Sequence, residues 1–233
     1  FIKLWREKLI YEDYRPTNWC PVCGTSIADA EIEYVKRQTK LYYIKFDLKA
    51  GGEIYIATTR PELLAACRAV LFNPDDERYV NLRDREAIIP IYNFSVPILE
   101  DRSVDIEFGT GLMMLCSYGD YIDISLITEM KLKPMVIIDE NGLMAEESGF
   151  RKGLDVESAR KKIVEELNKE SRISKVETIV QNVPTCWRSH NPIEFIHMKE
   201  YYLKQVDFKD KLLKLIEKIR FYPEDSVNVL INW

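Results

Sequence analysis

The chain is poor in the groups that most enzymes use to move protons. Two histidines, His190 and His197, are all it has in 233 residues. They are too few, and too far along the chain from its paired threonines, to suggest a Ser/His/Asp triad. There is no glycine-rich phosphate loop, so no nucleotide-binding signature for ATP is read, and there is no internal repeat or low-complexity stretch. No apolar run is long enough to span a bilayer and no export-signal pattern is present, so no membrane partner is expected. Basic charge is not in excess: 33 Lys and Arg against 38 Asp and Glu give a net charge of −5. A protein that grips nucleic acid by bulk phosphate contact should be basic, so any such contact here is local, or supplied by other parts of a larger protein. Five cysteines, an odd number without an export signal, argue against a disulfide framework and for a reducing, cytoplasmic compartment.

What is there is ordinary globular composition, 46% hydrophobic and 30% charged, enough for one sizeable core and a small satellite. Phe1-Ile2-Lys3-Leu4-Trp5-Arg6 begins inside an amphipathic pattern, and Val229-Leu230-Ile231-Asn232-Trp233 ends inside an apolar run. The expectation is an excised piece of a larger chain. Residues 1–14 read as the tail of a helix ended by Pro16. Trp19-Cys20-Pro21-Val22-Cys23-Gly24 is the kind of knuckle that folds two thiolates onto one zinc, although a redox pair or coincidence would look the same. Its second half is Pro184-Thr185-Cys186-Trp187-Arg188-Ser189-His190. A four-cysteine site would want cysteine at 189, where serine stands; His190 could supply a fourth ligand instead. The open alternatives are a structural zinc on Cys20, Cys23, Cys186 and His190, and a metal-free ribbon.

Residues 31–58 carry strand alternation, with Gly51-Gly52 as a hairpin tip. Leu63 to Val70 suits a short buried helix behind Pro61, with Thr59 as a natural N-cap. Short strands are expected around Pro90 and Pro97, another over Met135 to Ile138, and strands again over 174–196. Asp155 caps a helix whose face is Val156, Ala159, Ile163, Val164 and Leu167, the other face being solvated charge. Lys199 to Ile219 reads as helical with a mixed-charge face.

The chain is organised around Phe108 to Asp123. Gly109 and Gly111 mark a turn, Leu112 to Cys116 a buried strand, and Gly119 a second turn. Asp120 stands at the N-cap of a helix carrying Ile122, Leu126, Ile127 and Met130. Asp120 and Asp123 therefore fall one helical turn apart. One reading is capping: Asp120 accepts free amides and Asp123 sits in the positive field of the first turn. The other is a pocket for a cationic group such as an α-ammonium, with Asp123 pointing outward. Thr58-Thr59-Arg60-Pro61-Glu62 has the same duality: a helix cap, or hydroxyls, amides and a guanidinium offered to a polar ligand.

Taken together and in order, Ala57-Thr58-Thr59-Arg60-Pro61-Glu62, Asn73-Pro74-Asp75-Asp76-Glu77-Arg78-Tyr79, Phe108-Gly109-Thr110-Gly111 and Gly119-Asp120-Tyr121-Ile122-Asp123 resemble the editing insertion of valyl-tRNA synthetases, in its archaeal form. Asn18 to Cys23 and Cys186-Trp187-Arg188 with Pro192-Ile193-Glu194 resemble its flanks, so the resemblance covers essentially the whole chain. Each motif has cousins in the isoleucine and leucine enzymes. The isoleucine version typically lacks the Arg-Pro-Glu after the threonines.

The resemblance implies hydrolysis of threonine misattached to tRNA(Val). Threonine is nearly isosteric with valine, and this synthetase is itself the standard illustration of double-sieve editing. It implies the tRNA(Val) 3′ end and the remainder of the synthetase chain as partners, and no cofactor for editing; the structural zinc stays one of the two alternatives above. Carried onto this sequence, Asp123 would hold the α-ammonium and Asp120 would contact the threonine hydroxyl or a water. Thr58, Thr59, Arg60 and Glu62 would form the wall around amino acid and adenosine, with Thr110 and Gly111 on the adjoining turn. Phe108 would stack the terminal adenine at the rim. A positioned water would attack, with backbone amides stabilising the oxyanion. Departures from many bacterial members are Leu63 for threonine, Met114 for lysine, and Gly119 and Tyr121 around the first acid. They put in doubt any basic contact to phosphate or adenosine. The implied fold is α+β: a distorted, mostly antiparallel β-barrel with surrounding helices and a small Cys-knuckle ribbon. The implied parts are 1–38, the editing domain 39–175, and 176–233. The other readings are an isoleucyl editing domain and a catalytically silent RNA-docking module.

Overall fold

A computed structural model describes residues 1–232. The chain divides into two compact units, residues 16–198 and a terminal unit of residues 1–15 with 199–233. The strands are β1 (Ile10–Cys20), β2 (Thr25–Ser26), β3 (Ile32–Leu48), β4 (Glu53–Thr58), β5 (Cys67–Phe72), β6 (Glu86–Ile88), β7 (Ser95–Glu100), β8 (Leu112–Cys116), β9 (Ile173–Cys186) and β10 (Glu194–Leu203). The helices are α1 (Ile2–Arg6), α2 (Tyr121–Glu129), α3 (Val156–Lys169), α4 (Lys209–Ile216) and α5 (Ser226–Asn232).

The larger unit is α+β, a curled half-barrel sheet with a few helices. Its strand order is β4-β3-β6-β7-β5-β8, with β9 pairing β3 alongside. Only β5 and β7 run parallel; the other pairs are antiparallel. The two ends of that order, β4 and β8, pack against each other, so the sheet wraps rather than lying flat. That closure brings the C-terminal end of β4 to the turns flanking β8.

Burial follows the side-chain period. In β3, Tyr42, Ile44, Phe46 and Leu48 alternate into the main core, while Ile32 to Lys40 is largely exposed and pairs with β9 from Ile32↔Cys186 onward as a long ribbon. The boundaries expected at 38/39 and 175/176 fall inside this paired ribbon. β5 is covered on both faces. Val70 and Phe72 enter the main core, and Ala69 and Leu71 enter a smaller cluster with Val104, Leu115, Leu126 and Ile127 under α2. From α3, Ala159, Ile163 and Leu167 face the main core, and Asp155 caps the helix by accepting from Ser158 N at 2.9 Å.

Several expected elements differ. Residues 1–14 hold only one short helix before β1 begins, because Ile10 onward enters a strand through Pro16. The segment after Pro61 is a 3-10 turn, Pro61–Ala66, and Cys67 to Val70 belongs to β5, where pairing with β8 and β7 outweighs local helix preference. Met135 to Ile138 contributes a single bridge, Ile138↔Met144. Lys199 to Leu203 continues β10, and the helix starts at Lys209.

In the terminal unit, Lys199 pairs with Glu12 at 2.6 Å, and Phe1, Trp5 and Tyr201 pack ring on ring. Val229 and Ile231 are exposed, and Trp233 lies outside the described residues. Among the described residues no helix is long and apolar enough to cross a membrane.

Candidate active site

β4 ends at Thr58, opposite Tyr42 of β3. The chain then turns into Pro61–Ala66. Thr58 Oγ1 accepts from Arg60 N at 3.0 Å, so Thr58 rather than the expected Thr59 steadies this turn; Thr59 is half-buried beside it. Gly109 lies against the same strand end. It has φ +61°, and a Cβ there would sit 2.5 Å from Ala57 Cβ, so only glycine permits the approach. Its turn is closed by Gly111 N donating to Phe108 O at 2.9 Å and by Tyr79 Oη donating to Thr110 O at 2.6 Å. Phe108 is half exposed at the edge.

On the other flank, β8 leaves through Ser117-Tyr118-Gly119 into α2. Asp120 caps the helix: its Oδ1 accepts from Asp123 N at 2.8 Å. Asp123 does not point outward. It is 8% exposed, and its Oδ1 accepts from Cys116 N at 3.2 Å. A Cβ on Gly119 would lie 2.1 Å from Asp123 Oδ2, so the glycine is what leaves room for the carboxyl. Burial pushes the Asp123 carboxyl well above the usual carboxylate range, and the charge of Asp120 adds to it. The two amide donors and the Arg60 charge work in the opposite direction and do not cancel it.

Arg60 joins the two flanks. Its Nε donates to Glu62 Oε1 at 3.0 Å, Nη1 to Gly119 O at 3.1 Å and Nη2 to Glu194 Oε2 at 2.6 Å. Glu62 also takes a bidentate pair from Arg160, both contacts at 2.8 Å. Burial pushes the Glu62 carboxyl up, but Arg160 and Arg60 outweigh it and hold it below its ordinary range. With no exposed surface and both oxygens on guanidinium groups, Glu62 cannot be the substrate contact that the resemblance implied; it is the anion of an internal network.

The Thr58–Arg60 segment thus stands between the two turns that flank β8, with Ala57 against Gly109 on one side and Arg60 bonded to Gly119, next to Asp120 and Asp123, on the other. A shallow groove of about 390 Å³ along α2, lined by Asp101, Ser103, Tyr121, Ile122, Ser125 and Glu129, includes none of the threonines or Asp123. The residues that sequence reasoning misses are Arg160 and Glu194. The pattern of α3 places Arg160 with its solvated charges, yet Arg160 stands four residues from both Val156 and Val164, on the flank of the apolar stripe.

The knuckle assembles apart from these residues. The Cys20, Cys23 and Cys186 sulfurs lie within 4.8 Å of one another, with Cys23 and Cys186 3.9 Å apart. Zn–S bonds of about 2.3 Å in a tetrahedron put sulfurs ~3.8 Å apart, so the three thiols suit one zinc. The fourth corner is Ser189, whose Oγ is 3.2 Å from Cys20 Sγ. His190 is not there: its ring is exposed and faces Glu33 at 3.5 Å, because His190 takes φ +54° in the turn after Cys186. The group is therefore three thiols with a serine oxygen, not the set with His190. Burial would push the Cys186 thiol up, but the amides of Ser189 and Arg188 outweigh it and bring it down to about 7.

Comparison with known proteins gives this geometry a family. The chain is 48% identical over its whole length to a valine–tRNA ligase of Aeropyrum pernix, covering 28% of that protein. It is 47% identical to that of Nanoarchaeum equitans, covering 31%, and 44% to that of Methanocaldococcus jannaschii, covering 27%, again over the whole of this chain. It therefore spans less than a third of the length of the curated relatives it matches. A solved LeuRS–tRNA–LeuAMS complex of Agrobacterium radiobacter K84 aligns at a TM-score of 0.47 and 17% identity over 78% of this chain and 31% of that one. The family model for tRNA synthetases class I (I, L, M and V) matches residues 1–233, and the chain belongs to that family.

Proposed function

We propose that this chain is the post-transfer editing domain of a valyl-tRNA synthetase, hydrolysing the ester of threonine misattached to tRNA(Val) in the cytoplasm. The observation that carries the reading is the placement of the Thr58–Arg60 segment between the Phe108–Gly111 turn, which Ala57 touches, and the Gly119–Asp123 turn, which Arg60 holds. In the free protein Asp123 is held toward its neutral form. An α-ammonium entering beside it supplies the missing counter-charge, so binding draws the proton off and leaves a charge-assisted contact. Asp120 keeps Asp123 in place by capping α2, and the threonine hydroxyls orient the amino acid. Phe108 offers its exposed ring to the terminal adenine of the tRNA 3′ end. A held water attacks the ester carbonyl, which needs no protein nucleophile. The remainder of the synthetase chain supplies the grip on the tRNA body.

We also propose a structural zinc on Cys20, Cys23 and Cys186, with the Ser189 oxygen completing the shell and no part in hydrolysis.

The test compares ester loss from threonyl-tRNA(Val) and valyl-tRNA(Val) with the full-length gene product. Faster loss of the threonyl ester is expected, and a threonyl-adenosine analogue should contact Asp123 in a co-crystal. Equal background rates, with no analogue bound, would overturn the reading in favour of a silent RNA-docking module.

A further inference from the structure

Arg60 is engaged inside the protein before any ligand arrives, with three of its five N–H donors in use. All three guanidinium nitrogens donate within the protein, to Glu62, Gly119 and Glu194. Its carboxylate partners are a near neighbour, Glu62 on the 3-10 turn, and a distant one, Glu194 on β10, while Arg160 of α3 holds Glu62 from behind. Two arginines and two glutamates make the cluster neutral, and both glutamates are buried. Beyond its two carboxylate contacts, the Arg60 guanidinium reaches Gly119, donating from Nη1 to the carbonyl at 3.1 Å. Gly119 in turn touches the Asp123 carboxyl so closely that no Cβ fits between them.

The loop it holds needs holding. Tyr118 adopts φ +61°, an unfavourable conformation for a bulky residue that persists only when the surroundings enforce it. Ser117 N donates to Ala66 O at 2.9 Å, Met135 N donates to Ser117 Oγ at 2.9 Å, and the Tyr118 ring stacks on His197 with centroids 5.7 Å apart. The Arg60 bond is the anchor next in line, at the residue that abuts the acid.

We propose that Arg60 is a positioning residue, clamped by Glu62, Glu194 and Arg160 so that its guanidinium fixes Gly119 and, through it, Asp123. This rests on the editing reading for its kinetic consequence, though not for its geometry. A positioning residue acts on the rate of the bound complex, whereas a wall of the pocket acts on binding.

The experiment measures threonyl-ester hydrolysis by the full-length gene product carrying Glu194→Gln, Arg60→Lys, or both. Glu194→Gln keeps the shape and an acceptor but removes the charge that clamps Arg60. Arg160→Lys, which keeps charge and loses the fork, is a milder second variant should the others fold poorly. The expected result is a fall in kcat on the order of 10–100-fold with KM within about twofold, and a double variant no worse than the poorer single one. Gly119-Asp120 is the one Gly-Asp step in the sequence, so 1-13C-glycine with 15N-aspartate marks its peptide bond. That carbonyl resonance should move in each variant. Wild-type kcat with an unmoved resonance in Glu194→Gln, or a rise in KM alone in Arg60→Lys, overturns the proposal. If the unmutated protein shows no preference for the threonyl ester, the editing reading has failed, and the carbonyl resonance still decides whether the clamp reaches Gly119.

Discussion

Asp123 sits where a carboxylate is disfavoured in the folded protein, which gives it opposite effects on stability and function. Its folded-state pKa is raised above the ordinary aspartate value, through burial and the nearby Asp120. Below both values the folded and unfolded chains are equally protonated and nothing is lost. As pH rises past the unfolded value, the unfolded chain ionises first, so stability falls until the folded group ionises as well. Asp123→Asn keeps an oxygen for the Cys116 amide and has no charge to bury. Urea unfolding should find the variant more stable than wild type at pH 7, with the gap closing as pH falls toward 4. The same variant should lose threonyl-ester hydrolysis by 10–100-fold, the loss of a charge-assisted contact worth about 1.5–3 kcal/mol. A variant that is less stable at neutral pH, with the gap independent of pH, would show that Asp123 is ionised and satisfied in the free protein.

Among the elements, the knuckle depends on a ligand set that is one thiol short. The end of β1 and the turn after it supply Cys20 and Cys23, and the end of β9 and the turn after it supply Cys186 and Ser189. A zinc held there would tie chain segments more than 160 residues apart. At a free zinc concentration a hundredfold above Kd, it would add about 2.7 kcal/mol, or ~5–10 °C in Tm for a chain of this size. Chelation should lower Tm by that order, and Ser189→Cys should reduce the sensitivity to chelator by tightening the site; His190→Ala should change neither. An unchanged Tm with chelator would identify a metal-free ribbon. Sequence spacing reveals the three cysteines because each local motif is compact. It favours His190 over Ser189 on ligand chemistry alone, since nothing in the residue order announces the left-handed backbone that turns the imidazole away. The β3–β4 hairpin, the Asp120 and Asp155 caps and the stripe of α3 are legible for the same reason: each is specified within a few residues. The β5 strand and the Arg60 clamp are not, because both are completed by partners far along the chain. Leu63 to Val70 has helical composition until β7 and β8 claim it, and Arg160 looks solvated until Glu62 is placed opposite it.

For the molecule as a whole, what connects stability to the site is the division of apolar burial about β5. The main core holds most of the buried side chains, and the smaller cluster lies between β5, β8 and α2, the helix that carries Asp123. Truncation in either should be felt, since a buried aliphatic side chain cut to alanine costs about 2–5 kcal/mol. The consequences for the site should differ. Ile163 faces the main core from α3 with no exposure, and Ile163→Ala should lower Tm while hydrolysis by the folded fraction stays within about twofold at 25 °C. Leu126 seats α2 on the smaller cluster, three residues after Asp123. Leu126→Ala should cost similar stability and also lower kcat, because the helix loses the side chain that fixes its depth against β8. Paired urea titrations and single-turnover rates on the two variants separate these outcomes. Equal rates in both would mean that the Arg60 clamp and the Asp120 cap hold Asp123 without help from the packing beneath α2.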